Sequence, residues 1–188
     1  MIVTGTGVAD MKALLDKKVF TYNDVNSLPD GNYEIIDEEM VSMTPAGFRH
    51  GNLEGVFYEI LSKHLGSEGY VAVGEVGIVI RKKPFRLRAA DVVYISKKTS
   101  PKKPVGMLEV PPDLVVEIIS EDETVGKINN KVQDYLSFGV KRVVCINPFT
   151  ETITIHCHDK NDIGFYDFDD EFELIDKVFV KLRELCCV

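Results

Sequence analysis

The chain has 188 residues, 45% of them hydrophobic and 28% charged, and its formal net charge at pH 7 is −8. A chain of this length and composition can bury one sizeable core, so we predict a single domain spanning residues 1–188. No run approaches the roughly 20 apolar residues of a membrane span, and residues 1–9 lack the basic start of a secretion signal, so we expect a cytoplasmic protein with no membrane partner.

The first half of the chain carries signals for two helices and a hairpin. Apolar residues at helical spacing predict a short opening helix at residues 10–17, and the Pro, Asp and Gly at residues 29–31 predict a turn. Residues 33–36 and 40–43 are expected to pair as a hairpin. A longer helix is predicted at residues 51–65, where apolar residues recur every three or four positions.

The second half alternates between apolar strands and a helix, which predicts an α/β chain of the α+β type. Its strand, helix, strand order implies a right-handed crossover. The acidic segment after residue 158 is expected to form a weaker strand and a surface loop. The predicted elements are strands at residues 70–80, 90–95 and 114–119, a helix at 125–138, and strands at 143–146 and 153–158.

The net negative charge argues against a general nucleic-acid binder, because such proteins gain affinity mainly from Lys and Arg at phosphates. The charge is unevenly distributed, since residues 159–173 are strongly acidic whereas the centre of the chain is basic. Two interpretations of the basic segment stay open, a local basic face and the solvated rim of a hairpin. Its members are Lys82, Lys83, Arg86, Arg88, Lys97, Lys98, Lys102 and Lys103.

The four cysteines show no CxxC pairing, so they predict neither a zinc site nor a disulfide framework but reduced and mostly buried thiols. The sequence His156-Cys157-His158 lies in a predicted strand, where alternation places both histidines on one face and the thiol on the other. A hydrolase with a Cys or His nucleophile therefore has little support. A two-histidine metal site and a plain exposed edge strand both remain open.

Two carboxylates interrupt apolar strands. Glu117 lies inside Leu114-Val115-Val116-Glu117-Ile118-Ile119, and Asp91 opens Asp91-Val92-Val93-Tyr94-Ile95. Burial of a carboxylate costs several kcal/mol, as an order of magnitude, unless it is paired or coordinates a cation. A shared metal ion is one explanation, and separate pairing of each acid with a lysine or a loop is the other.

Lysines on the following helix could reach these acids. Lys131 borders the apolar stripe of the helix at residues 125–138, and its long stem could carry the ammonium back to the carboxylates. Lys127 lies one turn earlier on the same stripe. An exposed helix lysine beside the core is the alternative for either residue. Only the presence of Asp91 and Glu117 favours a functional role for Lys131.

Seven motifs, in order, resemble those of the putative restriction endonuclease family of the PD-(D/E)xK nuclease superfamily, over about residues 22–156. The resemblance implies a mixed central β-sheet flanked by helices, usually in a homodimer. The motifs are Pro29-Asp30-Gly31-Asn32-Tyr33-Glu34-Ile35-Ile36-Asp37, Met43-Thr44-Pro45 with His50-Gly51, Ala90-Asp91-Val92-Val93, Pro112-Asp113-Leu114-Val115-Val116-Glu117-Ile118-Ile119-Ser120, Lys131-Val132-Gln133-Asp134-Tyr135, Gly139-Val140 and Ile146-Asn147-Pro148.

Carried over from this family, Asp91 matches the metal-binding Asp and Glu117 the acidic member of the (D/E)xK pair. Ile119 stands where that motif would have Lys, and Lys131 matches the lysine that this family has moved to the following helix. Ala90 replaces the usual Pro before the first acid, which leaves the acid intact. Glu34, His50 and Glu75 match further positions that could line the same cleft. An ordinary hairpin residue is the alternative for Glu34, and a residue at the start of a helix is the alternative for His50.

The resemblance implies phosphodiester hydrolysis in a nucleic acid, with DNA as the expected substrate. Asp91, Glu117 and the backbone carbonyl of Ile118 would hold Mg²⁺ or Mn²⁺, which are hard cations that prefer oxygen ligands. Lys131 would orient the attacking water or stabilise the charged phosphate. No small-molecule cofactor is expected. A catalytically silent homodimer that binds nucleic acid or protein is the alternative, because a fold can outlive its chemistry.

Overall fold

The computed structural model describes residues 19–28, 31–159 and 162–185, and over these ranges the fold is a mixed eight-stranded sheet flanked by helices. The predicted opening helix at residues 10–17 and the turn residues Pro29 and Asp30 lie outside the described residues. No helix within these ranges is both long and apolar enough to cross a membrane.

The helices and strands follow the predicted order. Helix α1 spans Phe48–Leu65, α2 spans Val125–Phe138, and a 3₁₀ helix at Tyr22–Ser27 and a short α3 at Leu182–Leu185 lie near the ends of the described chain. The strands are β1 (Tyr33–Ile36), β2 (Glu39–Ser42), β3 (Gly69–Lys82), β4 (Phe85–Ser96), β5 (Leu114–Ile118), β6 (Arg142–Asn147), β7 (Thr152–Cys157), β8 (Ile163–Asp167), β9 (Phe172–Ile175) and β10 (Val178–Val180).

Local chemistry explains the ends of α2. The Thr124 hydroxyl oxygen accepts a hydrogen bond from the backbone N–H of Lys127, which caps the first turn. Gly139 follows the last turn with φ at 106°, a left-handed conformation that glycine adopts without strain. The helix therefore occupies the range that its apolar spacing predicts.

Strand β4 organises the sheet. Strand β3 pairs along the whole of one edge of β4, whereas β1 pairs at Leu87 and β5 pairs at residues 92–94. Because β3 fills one edge, β1 and β5 share the other. The sheet then continues through β6, β7 and β8, and β5 and β6 are the parallel pair that α2 connects. This pairing confirms the predicted mixed sheet.

The shared edge of β4 creates a gap between two strand ends. The β1 register pairs Ile35 with Leu87, so the next step places Glu34 opposite Arg88. The β5 register pairs Val116 with Val92, so its next step places Glu117 opposite Asp91. The start of β1 and the end of β5 thus meet over residues 89–90 of β4, and two buried acids lie beside the gap.

Alternating strand residues build cores on both faces of the sheet. On one face, Val116 and Tyr94 pack with Phe57 and Leu61 of α1. On the other face, Val115 and Val93 pack with α2. Each face is covered by a helix, so the charged side chains near the gap are shielded from water at the middle of the sheet.

The acidic C-terminal segment differs from the expected weak strand and surface loop. Strand β8 extends the main sheet, and β9 and β10 form a separate hairpin. Phe168, Phe172 and Leu174 from this segment join the core on the α1 face and are 2% exposed or less. The acidic residues between these apolar ones concealed their contribution, because only the tertiary fold brings them over the sheet.

Candidate functional site

Asp91 is the centre of the site beside the gap in β4. The residue is 3% exposed, and Oδ2 accepts a hydrogen bond of 2.6 Å from the backbone N–H of Ile118. The other oxygen, Oδ1, lies 3.2 Å from Nε2 of His50. Asp91 therefore binds the end of β5 with one oxygen and faces the first turn of α1 with the other.

His50 and Glu54 reach Asp91 from α1. They are four residues apart on one helix face, and Nε2 of His50 lies 3.3 Å from Oε1 of Glu54. That nitrogen is buried between two carboxylates but is aligned for a hydrogen bond with neither. Ligand atoms of His50, Glu54 and Asp91 all lie within 4.8 Å of one another, a spacing that one metal ion can bridge.

The carboxylates set the charge of this cluster. Proximity to Asp91 raises the pKa of His50 above its ordinary value, against the opposing effect of burial. Burial and the charge of Asp91 raise the pKa of Glu54. The carboxylates of Asp91 and Glu54 both face the His50 imidazole and repel each other. Either a proton or a divalent cation relieves this repulsion.

Glu75 approaches the same cluster from a bulge in β3. The pairing of β3 with β4 shifts between Val73 and Val76, and Gly74 and Glu75 have φ angles of 86° and 57°. Oε2 of Glu75 is buried without a hydrogen-bond partner. Burial and the nearby charge of Asp91 raise the pKa of Glu75 to about 7. The bulge thus turns a carboxylate toward Asp91, where burial and the charge of Asp91 outweigh the opposing charges of Lys131 and His50.

Glu117 is held by two groups of α2. Its Oε2 accepts a hydrogen bond of 2.6 Å from Nζ of Lys131, and its Oε1 accepts one of 2.7 Å from the hydroxyl of Tyr135. Burial raises the pKa of Glu117 well above its usual value, and the charge of Lys131 opposes that shift. The three side chains are buried, so each depends on the others for its polar contacts.

A second carboxylate flanks the lysine. Oε1 of Glu34 lies 3.6 Å from Nζ of Lys131, and Oε2 of Glu34 accepts a 2.6 Å hydrogen bond from Arg88. Arg88 also donates to Asp134 of α2 at 2.7 Å. Arg88 is 5% exposed, so it belongs to an internal ionic network and not to the surface rim or basic face that the sequence left open.

The structure brings together most of the predicted site residues. Asp91, Glu117, Lys131, Glu34, His50 and Glu75 lie in one continuous set of contacts and charge interactions. Ile118 joins them through its backbone N–H. Lys127 is exposed, and among the described residues its side chain has no hydrogen bond or ion pair.

Four further residues take part that were not predicted from the sequence as site residues. Glu54 and Tyr135 each follow a predicted site residue by four positions on a helix, and this spacing could have indicated them. Asp134 follows Lys131 by three positions. Arg88 had no such local signal, since its partners lie 46 and 54 residues away in the chain.

His156 of β7 and His158, which directly follows the strand, lie elsewhere. His156 and His158 line an open pocket of about 330 Å³ together with Gln133 and Leu136 of α2. Burial lowers the pKa of His156, which favours a neutral ring. Burial likewise raises the pKa of the Cys145 thiol to about 12, so this cysteine would not act as a nucleophile.

Comparison with known proteins agrees with the fold and the motif order. A family model described as Uma2, putative restriction endonuclease, matches residues 21–177. The chain belongs to the Uma2 family. The Uma2 match extends beyond the core predicted from the motifs and includes the C-terminal hairpin residues as far as Lys177. No protein of curated function matches the sequence.

A solved structure supports the Uma2 fold. The chain is similar to the crystal structure of a putative nuclease belonging to DUF820 from Anabaena variabilis, with a TM-score of 0.74 and 14% sequence identity. The alignment covers 88% of this chain and 97% of the other. At this identity the likeness concerns the fold, and the chemistry of this Uma2 chain rests on its own side chains.

Proposed function

We propose that the chain is a metal-dependent endonuclease that hydrolyses phosphodiester bonds of DNA, with Asp91, Glu117 and Lys131 as its catalytic residues. One observation carries the proposal. Two buried carboxylates that the β4 and β5 registers place opposite each other adjoin a buried ammonium, in a chain that belongs to a family described as nucleases. Buried charges of this kind are costly to fold and are kept at sites that use them.

The residues around Asp91 fit a divalent cation. His50 and Glu75 each place a buried polar atom without a hydrogen-bond partner beside carboxylate charge. Asp91, His50 and Glu54 would hold the ion, with Glu75 beside them, while Glu117 and the carbonyl of Ile118 are the further ligands that the family resemblance implies. Bound Mg²⁺ or Mn²⁺ would supply a water of lowered pKa and positive charge for the scissile phosphate.

Lys131 would stabilise negative charge on the phosphate. Burial alone would lower the pKa of Lys131, but the charges of Glu117, Glu34 and Asp91 outweigh that effect and raise it well above its usual value. The lysine therefore stays protonated across the physiological range. A fixed ammonium in a site shielded from water acts more strongly on developing charge than one in solvent.

DNA is proposed as the substrate from the family resemblance, and a homodimer is proposed on the same basis. Two copies would present two sites and could cut both strands of a duplex. Light scattering on the purified protein tests the dimer, with a mass near twice the 21.1 kDa of the chain as the expected result.

The decisive experiment is cleavage of plasmid and single-stranded DNA with Mg²⁺ or Mn²⁺ by the wild type and by Asp91→Asn, Glu117→Gln and Lys131→Met. Each variant should lose roughly 100-fold or more in rate, since each removes a charge that acts on the transition state. Matched controls are Glu109→Gln and Lys63→Met, which make the same charge changes at exposed positions and should cut like the wild type.

Two outcomes would count against the proposal. Cleavage that persists in the Asp91→Asn and Glu117→Gln variants would assign the activity to other residues or to a contaminant. A folded wild type that binds DNA in a filter assay but cuts neither DNA nor RNA with either metal would favour the catalytically silent binding protein.

A further inference from the structure

The ammonium of Lys131 lies between two carboxylates at different distances. Oε2 of Glu117 is 2.6 Å from Nζ, and Oε1 of Glu34 is 3.6 Å from it. All three side chains are buried. Glu117 is the strong partner in this arrangement, and Glu34 is a second partner within reach of a small movement of the lysine.

Glu34 is itself held in place by two hydrogen bonds. Arg88 donates to its Oε2 at 2.6 Å, and the backbone N–H of Ala89 donates to its Oε1 at 3.2 Å. This N–H lies at the gap between β1 and β5, where no strand is available to accept it. The charge-assisted hydrogen bond from Arg88 fixes the position of the carboxylate.

The contacts of Arg88 return to the helix that carries the lysine. Its Nε and Nη2 lie 2.7 and 2.6 Å from Oδ2 of Asp134, which follows Lys131 by three positions in α2. Lys131, Glu34, Arg88 and Asp134 thus form a series of alternating charges that begins and ends on α2, and we call this series the ionic ring. Arg86 binds the remaining oxygen of Asp134 at 2.6 Å and anchors the ring to the start of β4.

We propose that Glu34 is a positioning residue for Lys131, which holds the ammonium at the site whenever Glu117 gives up its ion pair. The Glu117 carboxylate would have to serve two partners, because it pairs with Lys131 and is also a proposed ligand of the metal ion. A lysine with no second carboxylate would then be a buried cation without a partner, which is strongly unfavourable. The ionic ring removes that difficulty by fixing the Glu34 carboxylate beside Nζ of Lys131. This inference rests on the proposed function for its catalytic meaning.

The first test needs neither metal nor substrate. It follows the ¹⁵N–¹H signal of the Lys131 ammonium, which is visible only where the ammonium is shielded and its protons exchange slowly. Glu117→Gln should keep the signal, because Glu34 retains the lysine. Glu34→Gln/Glu117→Gln should lose it, whereas the matched pair Glu109→Gln/Glu117→Gln should keep it, since Glu109 is an exposed carboxylate paired with Lys82. A signal that persists equally in all three variants would overturn the inference.

The second test is kinetic. Glu34→Gln should lower kcat by about tenfold to a hundredfold with KM for DNA unchanged, the range typical when a residue that orients a catalytic group is removed. Glu34→Asp keeps the charge opposite Arg88 but shortens the side chain, and it should lower kcat similarly if Glu34→Gln does not fold. Wild-type kcat in both variants would contradict the inference. If the wild type cuts no nucleic acid, the proposed function fails, while the ammonium signal still decides whether Glu34 positions Lys131.

Discussion

Nζ of Lys131 lies 2.6 Å from Oε2 of Glu117, and both side chains are buried against the sheet. The pair joins α2 to β5, and its two residues are 14 positions apart in the chain. Such a pair is not necessarily a source of stability, because the cost of removing two charges from water is comparable with their attraction. The effect to measure is instead the loss in free energy of unfolding when only one of the two partners is removed.

Lys131→Met should lower the free energy of unfolding by about 3–5 kcal/mol at pH 8, because it leaves the Glu117 carboxylate buried without its cation. The loss should shrink toward pH 5. Without the lysine the pKa of Glu117, already raised by burial, rises further in the folded state, so stability falls as the pH increases above the unfolded value. Urea unfolding at both pH values measures this.

The double variant Glu117→Leu/Lys131→Met should recover most of that stability, because it removes both charges together. If Lys131→Met is equally destabilised at pH 5 and pH 8, the loss arises from packing and not from the unpaired Glu117 carboxylate.

Glu75→Gln should stabilise the protein above pH 7 and leave its stability unchanged below about pH 4.5. Burial raises the folded pKa of Glu75 from 4.5 to about 7, so the ionised form is disfavoured and stability falls between these pH values. The shift corresponds to at most about 3 kcal/mol, and partial exposure of the side chain reduces this to about 1–2 kcal/mol. Thermal unfolding across pH 4–9 in metal-free buffer measures the difference.

The control for Glu75 is Glu68→Gln, which removes an exposed carboxylate and should give a pH profile parallel to that of the wild type. Parallel profiles for Glu75→Gln and the wild type would show that the Glu75 carboxyl is not perturbed in the folded protein.

Mn²⁺ should raise the melting temperature at lower concentrations than Mg²⁺, because the His50 imidazole favours transition metals over magnesium. His50→Asn should weaken Mn²⁺ binding by roughly tenfold or more, since loss of even an outer partner of a metal ligand costs 10–100-fold. The measurement is a thermal-shift titration without DNA.

His64→Asn changes an exposed histidine in the last turn of the same helix and serves as the matched control. Equal Mn²⁺ affinity in His50→Asn and His64→Asn would exclude His50 as a ligand. In that case, the close approach of Nε2 to Asp91 would be explained by a protonated imidazole.

Tyr135→Phe should lower the free energy of unfolding by about 1.5–3 kcal/mol, because its hydroxyl donates to a buried carboxylate and a phenylalanine cannot. Tyr70→Phe removes an exposed hydroxyl whose bond to the carbonyl of Pro101 is 3.3 Å long, and it should cost much less. Urea unfolding of both variants provides the comparison. Equal losses would mean that the Tyr135 hydroxyl gives Glu117 no special support.

Local patterns predicted most of the regular structure. Helix α2 has the predicted bounds because its apolar spacing, the Thr124 cap and Gly139 all act within a few residues of the chain. Strand β4 begins at Phe85, earlier than the predicted residue 90. The prediction missed this start because Arg86 and Arg88 resemble the solvated rim of a hairpin in the sequence. Their buried acidic partners on β1 and α2 are distant in the chain.

The sequence by itself determined most of the elements, their order and the carboxylates that interrupt apolar strands, because periodicity and burial cost are local properties of the chain. It also carried the motif order that predicted the family. Only the tertiary structure decided which charges meet. The shared edge of β4 sets Glu34 beside Arg88 and Glu117 beside Asp91, and the two helices deliver His50 and Lys131 from opposite faces of the sheet. Strand register and helix packing are non-local. Spacing within the sequence could therefore suggest that Lys131 reaches the acids, but it could not pair Glu34 with Arg88 or His50 with Asp91.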